Sequence, residues 1–176
     1  MNSILSIPHQ LDPETLSCRA IIETPKGSRA KYDYHPETGL FLLDRLLPEG
    51  MCFPLDFGFI PSTKAEDGDP LDILVLHEEP IPVGLLIEVR LIGAIIGEQQ
   101  EEGGRAAIRN DRLIGVGKTS HLYETIGDAR NLGQTFLDQL CCFWVNYNQL
   151  RGRTFELKGV RDRAEAAKLV EAASSK

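Results

Sequence analysis

From Leu85 to Ile96 the chain reads LLIEVRLIGAII, with Leu85, Ile87, Val89 and Leu91 alternating with Leu86, Glu88, Arg90 and Ile92. Period two sends successive side chains to opposite faces, so this stretch predicts one long strand with one face more polar. Around it, short apolar segments alternate with turn chemistry. Arg19–Glu23, Lys31–His35, Leu40–Asp44, Leu71–Leu76, Ala106–Arg109 and Arg112–Val116 read as further strands. His35-Pro36-Glu37-Thr38-Gly39 is a hairpin turn signal between the second and third of these segments. Residues 97–104, GEQQEEGG, read as a mobile polar hairpin loop. Many short strands with Gly and Pro turns predict a small barrel or sandwich.

The last third changes period. Phe136, Leu140, Phe143, Trp144 and Tyr147 recur at spacings of three and four, an apolar helical stripe that reads as core. A second helix is predicted over 163–173, with Asp162 as its N-cap and Ala166, Leu169, Val170 and Ala173 on its inner face. Thr154–Val160 reads as one more strand between the two helices. The 176 residues contain no internal repeat and no low-complexity linker, so one α+β domain over 1–176 is expected.

Composition narrows the partners. There are 26 acidic against 19 basic residues, a net charge of -7. That balance disfavours nucleic acid and anionic membranes, which need a basic footprint. It leaves room for an anionic small substrate if cations screen the site. No apolar run reaches membrane-spanning length, and the N-terminus lacks the basic and apolar regions of a signal peptide. Cys18, Cys52, Cys141 and Cys142 match no zinc or redox spacing, and His9, His35, His77 and His121 are scattered. A cytoplasmic protein with free thiols is the expectation.

The stretch EDGDPLDILVL, 66–76, is the chemically pointed one. It places Asp67, Asp69 and Asp72 within six residues and runs straight into an apolar strand. A solvated turn is the plain reading of Asp-Gly-Asp. Three features oppose it. Pro70 pins the backbone, Asp72 lies inside the strand where aspartate is disfavoured, and its face also carries Leu74 and Leu76. An inward carboxylate beside two others calls for a divalent cation, and all-oxygen ligands suit Mg²⁺ or Mn²⁺. A calcium EF-hand fails here, because Leu71 stands at a ligand position and Asp72 at the turn glycine. GVGKTS, 115–120, fails as a P-loop, because Arg112 stands where its first glycine is required.

DGDPLDI, 67–73, matches a signature of the family I soluble inorganic pyrophosphatases, and blocks on both sides keep the family's order. IIETP (21–25), KYDYHPETGLFLLDR (31–45), MCFPLDFGFIP (51–61) and FWVNYNQL (143–150) resemble its other motifs, over roughly residues 18–173. The resemblance implies a small OB-like five-stranded β-barrel with flanking β-hairpins and two C-terminal helices. It also implies Mg²⁺-dependent hydrolysis of pyrophosphate in the cytoplasm by a homo-oligomer, usually a hexamer. By residue, it makes Asp67 and Asp72 metal ligands and Asp69 the acceptor of the attacking water's proton. It makes Lys31, Arg45 and Tyr147 holders of phosphoryl oxygens and Glu23 a supporting carboxylate.

Several positions depart from the family pattern. Asp33 stands for a glutamate, Phe53 and Phe57 for tyrosines, Arg112 for a lysine and Asn148 for a lysine, with Arg151 or Arg153 as candidate substitutes. The third metal-binding aspartate is expected at 110, where Asn110 stands, with Asp111 one residue out of register. A regular strand turns Asp111 the wrong way, and a β-bulge would restore it. Glu98, Glu101 and Glu102 are candidates for further acidic ligands, or a solvated charge run. Two functions follow: an active, divergent pyrophosphatase, or an impaired relative that binds metal and phosphate or partners a true enzyme. An OB-type nucleic-acid binder rests on fold analogy alone and is opposed by the acidic balance.

Overall fold

The protein is described by a computed structural model over residues 3–101, 103 and 106–174. Among the described residues the strands are β1 (Ser17–Thr24), β2 (Ala30–His35), β3 (Leu40–Leu46), β4 (Asp56–Phe59), β5 (Asp72–Leu76), β6 (Leu86–Glu101), β7 (Ile108–Arg109), β8 (Arg112–Gly117) and β9 (Arg153–Asp162). The helices are α1 (Gln134–Gln149) and α2 (Arg163–Ala173).

The alternating stretch is the spine. β6 is long enough to pair with β1 and β8 at one end and with β7 and β9 at the other. The order β1-β4-β5-β8-β6, with β6 returning to β1, closes a ring of five strands. Closure removes the exposed edges of the sheet. β2 and β3 form a separate hairpin through the expected turn. The fold is the α+β, OB-like barrel with two helices implied by the resemblance.

Two strand expectations change. β4 was not among the expected strands; it is four buried residues between Pro54 and Pro61, too short to show a period. Gly58 lets it approach β1, since a Cβ there would lie 2.0 Å from the Ile21 carbonyl oxygen. The polar segment from Gly97 to Glu101 is strand rather than loop, because Leu157 to Arg153 of β9 supply its ladder partners. A strand with an antiparallel neighbour needs no apolar side chains to hold it.

α1 begins after Gly133, whose φ of 85° favours glycine, and buries Leu137, Leu140, Cys141, Trp144 and Tyr147. These pack with Phe53, Phe57, Leu74, Leu76, Ile92 and Ile114 in one apolar cluster. α2 is capped by Asp162, which accepts from the Glu165 N–H at 3.0 Å, and buries Ala166, Ala167 and Val170 against β6. Leu169 and Ala173, expected on the inner face, are only partly buried against that cluster.

Candidate active site

A cleft of about 550 Å³ opens beside α1, where the first apolar cluster meets the mouth of the barrel. Asp67, Asp69, Asp72, Glu23, Asp33, Lys31, Arg45, Asn110, Arg112 and Tyr147 all line it. Residues more than a hundred positions apart thus share one space.

The acidic wall comes from the 65–72 turn. Ala65 N–H donates to the Asp69 carbonyl at 2.7 Å, and Gly68 takes φ 95°, a value that favours glycine. The Asp69 N–H donates to Asp67 Oδ1 at 3.2 Å, an Asx turn that holds both aspartates at the rim. Asp72 then opens β5 while Leu74 and Leu76, on its face, continue into the core. It stands opposite Arg112 of β8 in the parallel ladder, Oδ2 3.8 Å from Nε.

The basic wall comes from the β2–β3 hairpin and α1. Lys31 and Arg45 are ladder partners. The Lys31 ammonium donates to Asp33 and to the Tyr32 carbonyl at 2.9 Å, and lies 3.6 Å from Glu23 Oε2. Glu23 also accepts the Tyr34 N–H at 3.0 Å. Burial alone would lower the Lys31 pKa, but Glu23 and Asp33 beside it raise it, so the ammonium stays charged. Arg112 is buried with its guanidinium carbon 4.0 Å from the centre of the Trp144 ring, and donates to the Asn110 carbonyl at 3.0 Å. Tyr147 is buried edge-on against Trp144, ring centres 5.3 Å apart.

Asp67, Asp72 and Glu23 resist ionisation. Burial raises the pKa of Asp67, opposed by the Asp69 N–H and raised further by the Asp69 charge. Burial pushes Asp72 up to about 7, against Arg112 and Lys31, with Glu23 and Asp67 adding repulsion. Glu23 is raised by burial against the pull of Lys31. Like-charged oxygens crowded in a cleft are the donor set a hard divalent cation satisfies. Among the described residues, no three His, Cys, Asp or Glu side chains already converge as a finished ligand set. The oxygen chemistry of the cleft fits a metal.

The turn at 110–111 departs from the expected ligand set. Asp111 does not line the cleft. Its Oδ1 accepts the Gly97 N–H at 3.2 Å and its Oδ2 accepts Arg109 Nε at 2.6 Å. Asn110 faces the cleft instead, its amide donating to Asp67 Oδ2 at 3.3 Å and to Gln99 Oε1 at 2.9 Å. No bulge rescues Asp111, because Arg112 must stay in register with Asp72 across β5 and β8. Glu101 lines the cleft and pairs with Arg153, Glu98 lies outside it against Lys158, and Glu102 falls outside the described residues.

The two lost phenols are unequal. Phe57 lines the cleft 4.9 Å from the Lys31 ammonium, whereas Phe53 is fully buried among Phe57, Phe143, Trp144 and Tyr147. Asn148 is buried too, and its amide donates back to the Trp144 carbonyl at 2.9 Å. Asp44, Gln99 and Trp144 line the cleft as well, although no motif marked them as site residues. The GVGKTS stretch lies away from it, with Lys118 paired to Glu88.

A model of the inorganic pyrophosphatase family matches residues 20–176. The inorganic pyrophosphatase of Thermus thermophilus is 39% identical over 155 residues, which cover 86% of this chain and 85% of that protein. That of Nanoarchaeum equitans is 37% identical over 155 residues, covering 88% and 93%. The crystal structure of inorganic pyrophosphatase from Thermus thermophilus superposes with a TM-score of 0.88 at 34% identity, covering 98% of this chain and 97% of that one. Barrel, cleft and matches together place the protein among the hydrolases that act on phosphoanhydrides. More narrowly, the chain belongs to the inorganic pyrophosphatase family.

Proposed function

We propose that the protein hydrolyses inorganic pyrophosphate to two orthophosphates, using Mg²⁺, or Mn²⁺ in its place, held by Asp67 and Asp72 with Asp69 alongside. One observation carries this reading. Asp67 and Asp72, whose carboxyls resist ionisation, share a single cleft with Lys31, Arg45 and Arg112. A bare acidic wall would repel pyrophosphate, so the two walls are chemically coherent only with divalent cations between them.

Bound divalent ions would supply charge neutralisation and Lewis acidity. The protein's own groups do the rest. Asp69, exposed at the rim, accepts a proton from the attacking water as its oxygen bonds to phosphorus. The bridging P–O bond breaks, and its electron pair leaves with the departing phosphate. Lys31, Arg45 and Arg112 hold phosphoryl oxygens, and the Tyr147 hydroxyl donates to one more. Glu23 and Asp33 orient the Lys31 ammonium by their ion pairs. Phe57 and Trp144 form an apolar floor that limits water.

The same reading places the chain in the cytoplasm as a homo-oligomer, a hexamer. Supporting it are four free thiols and the apolar residues Leu40, Leu42, Leu43 and Leu46 exposed on the β3 side of its hairpin. Among the described residues, no helix is long and apolar enough to cross a membrane.

The test is phosphate release from pyrophosphate with Mg²⁺ or Mn²⁺, wild type against Asp69→Asn. Loss of the proton acceptor should slow the reaction by roughly 10²–10⁴. A wild type no faster than the variant rules out the enzyme. Titration calorimetry with the metal would then decide for the impaired relative, the reading that Asn110 in place of an aspartate favours.

A further inference from the structure

At the α1 end of the cleft, Arg45, Arg151 and Arg153 come together with Tyr147. Their partners differ. Arg45 is paired with Asp44, and Arg153 donates to Glu101 at 2.8 Å. Arg151 has no carboxylate or carbonyl partner among the described residues. Of the three guanidiniums, Arg151 is the one without an ion pair among the described residues.

The backbone holds that charge in place. Arg151 follows Tyr147 by four residues, one turn on, and its guanidinium carbon lies 5.4 Å from the centre of the Tyr147 ring. The Arg151 N–H donates to the Asn148 carbonyl at 2.9 Å, continuing the helix end. Asn148, beside Tyr147 in sequence, is turned into the core and offers the cleft nothing. Burial foremost, with repulsion from Arg45 and Arg153, draws the Arg151 pKa down against the pull of Tyr147 and Asp44.

We propose that Arg151 binds the phosphate group at the Tyr147 end of the cleft. This rests on the pyrophosphatase reading of the same cleft. A guanidinium offers paired donors to tetrahedral oxygens, so Arg151 grips both that end of pyrophosphate and the orthophosphate left there.

The experiment compares wild type, Arg151→Gln and Arg151→Lys, with Arg163→Gln on the exposed face of α2 as a charge-matched control. Orthophosphate binding is measured by calorimetry without turnover, and KM, kcat and phosphate inhibition are measured with Mg²⁺-pyrophosphate. Arg151→Gln should weaken orthophosphate binding and raise KM by about 10- to 100-fold, the range for a bond to a charged group, with kcat within about threefold. Arg151→Lys should recover part of both, and Arg163→Gln should match wild type. Unchanged phosphate affinity in both Arg151 variants, or equal losses in the control, overturns the assignment. If wild type binds orthophosphate through Arg151 yet hydrolyses no pyrophosphate, the enzyme reading fails while the subsite stands.

Discussion

Two acidic turns flank the cleft, and they behave differently. In the 65–72 turn, an Asx hydrogen bond and Pro70 bring Asp67, Asp69 and Asp72 to one space. At 110–111, the register that sets Arg112 opposite Asp72 sends Asp111 into the protein and leaves the neutral Asn110 facing the cleft. Both carry aspartates next to a strand. The lesson is that an acid's role follows the ladder it belongs to, since a one-residue offset reverses the face of a side chain.

The largest effect should come from the first turn. Asp72→Asn removes the innermost carboxylate, and the metal concentration for half-maximal activity should rise about a hundredfold or more, read by metal titration of phosphate release. Unchanged metal dependence would remove the acidic turn from the metal site. Next, Asn110→Asp should place a carboxylate where the register already points, tightening divalent-metal binding by about tenfold in calorimetry. If the affinity falls or stays put, position 110 is not part of the site.

Asp111→Ala probes the other side of the comparison. Activity per folded molecule should hold within about twofold, while stability in urea drops by about 1–3 kcal/mol, because the buried Gly97 N–H loses its acceptor. An activity loss without a stability loss would return Asp111 to the cleft.

The smallest effect concerns a carboxylate remote from both turns. Glu78 accepts the His121 and Leu122 N–H groups at 2.6 and 2.5 Å, and these bonds, Leu122 foremost, hold its pKa down to about 2. A lowered acid pKa stabilises the fold above the ordinary value of 4.5, and that stability is lost as pH falls toward 2. In Glu78→Gln this part of the acid-unfolding curve should flatten. Asp72 and Glu23 shift the opposite way, because the charges and N–H donors around them do not offset their burial. A curve unchanged by Glu78→Gln would assign the acid sensitivity elsewhere.

Much of the candidate site was legible because its groups carry local signatures. Asp67, Asp69 and Asp72 sit in one short motif, and Lys31 and Arg45 flank one hairpin. Arg151 and Gln99 were harder to place, since an arginine after a helix or a glutamine in a polar run has many uses. β4 stayed hidden because four buried residues show no period.

Strand period, helical stripe, the Asp162 cap and the acidic motif were determined by sequence alone, because each depends on neighbours within one or two turns of chain. Tertiary structure decided which of Asn110 and Asp111 enters the cleft, that Phe53 is core while Phe57 is wall, and that Arg151, of three clustered arginines, has no ion pair among the described residues. Those outcomes depend on ladders and packing between distant segments, and on the charges such packing brings within reach of one another.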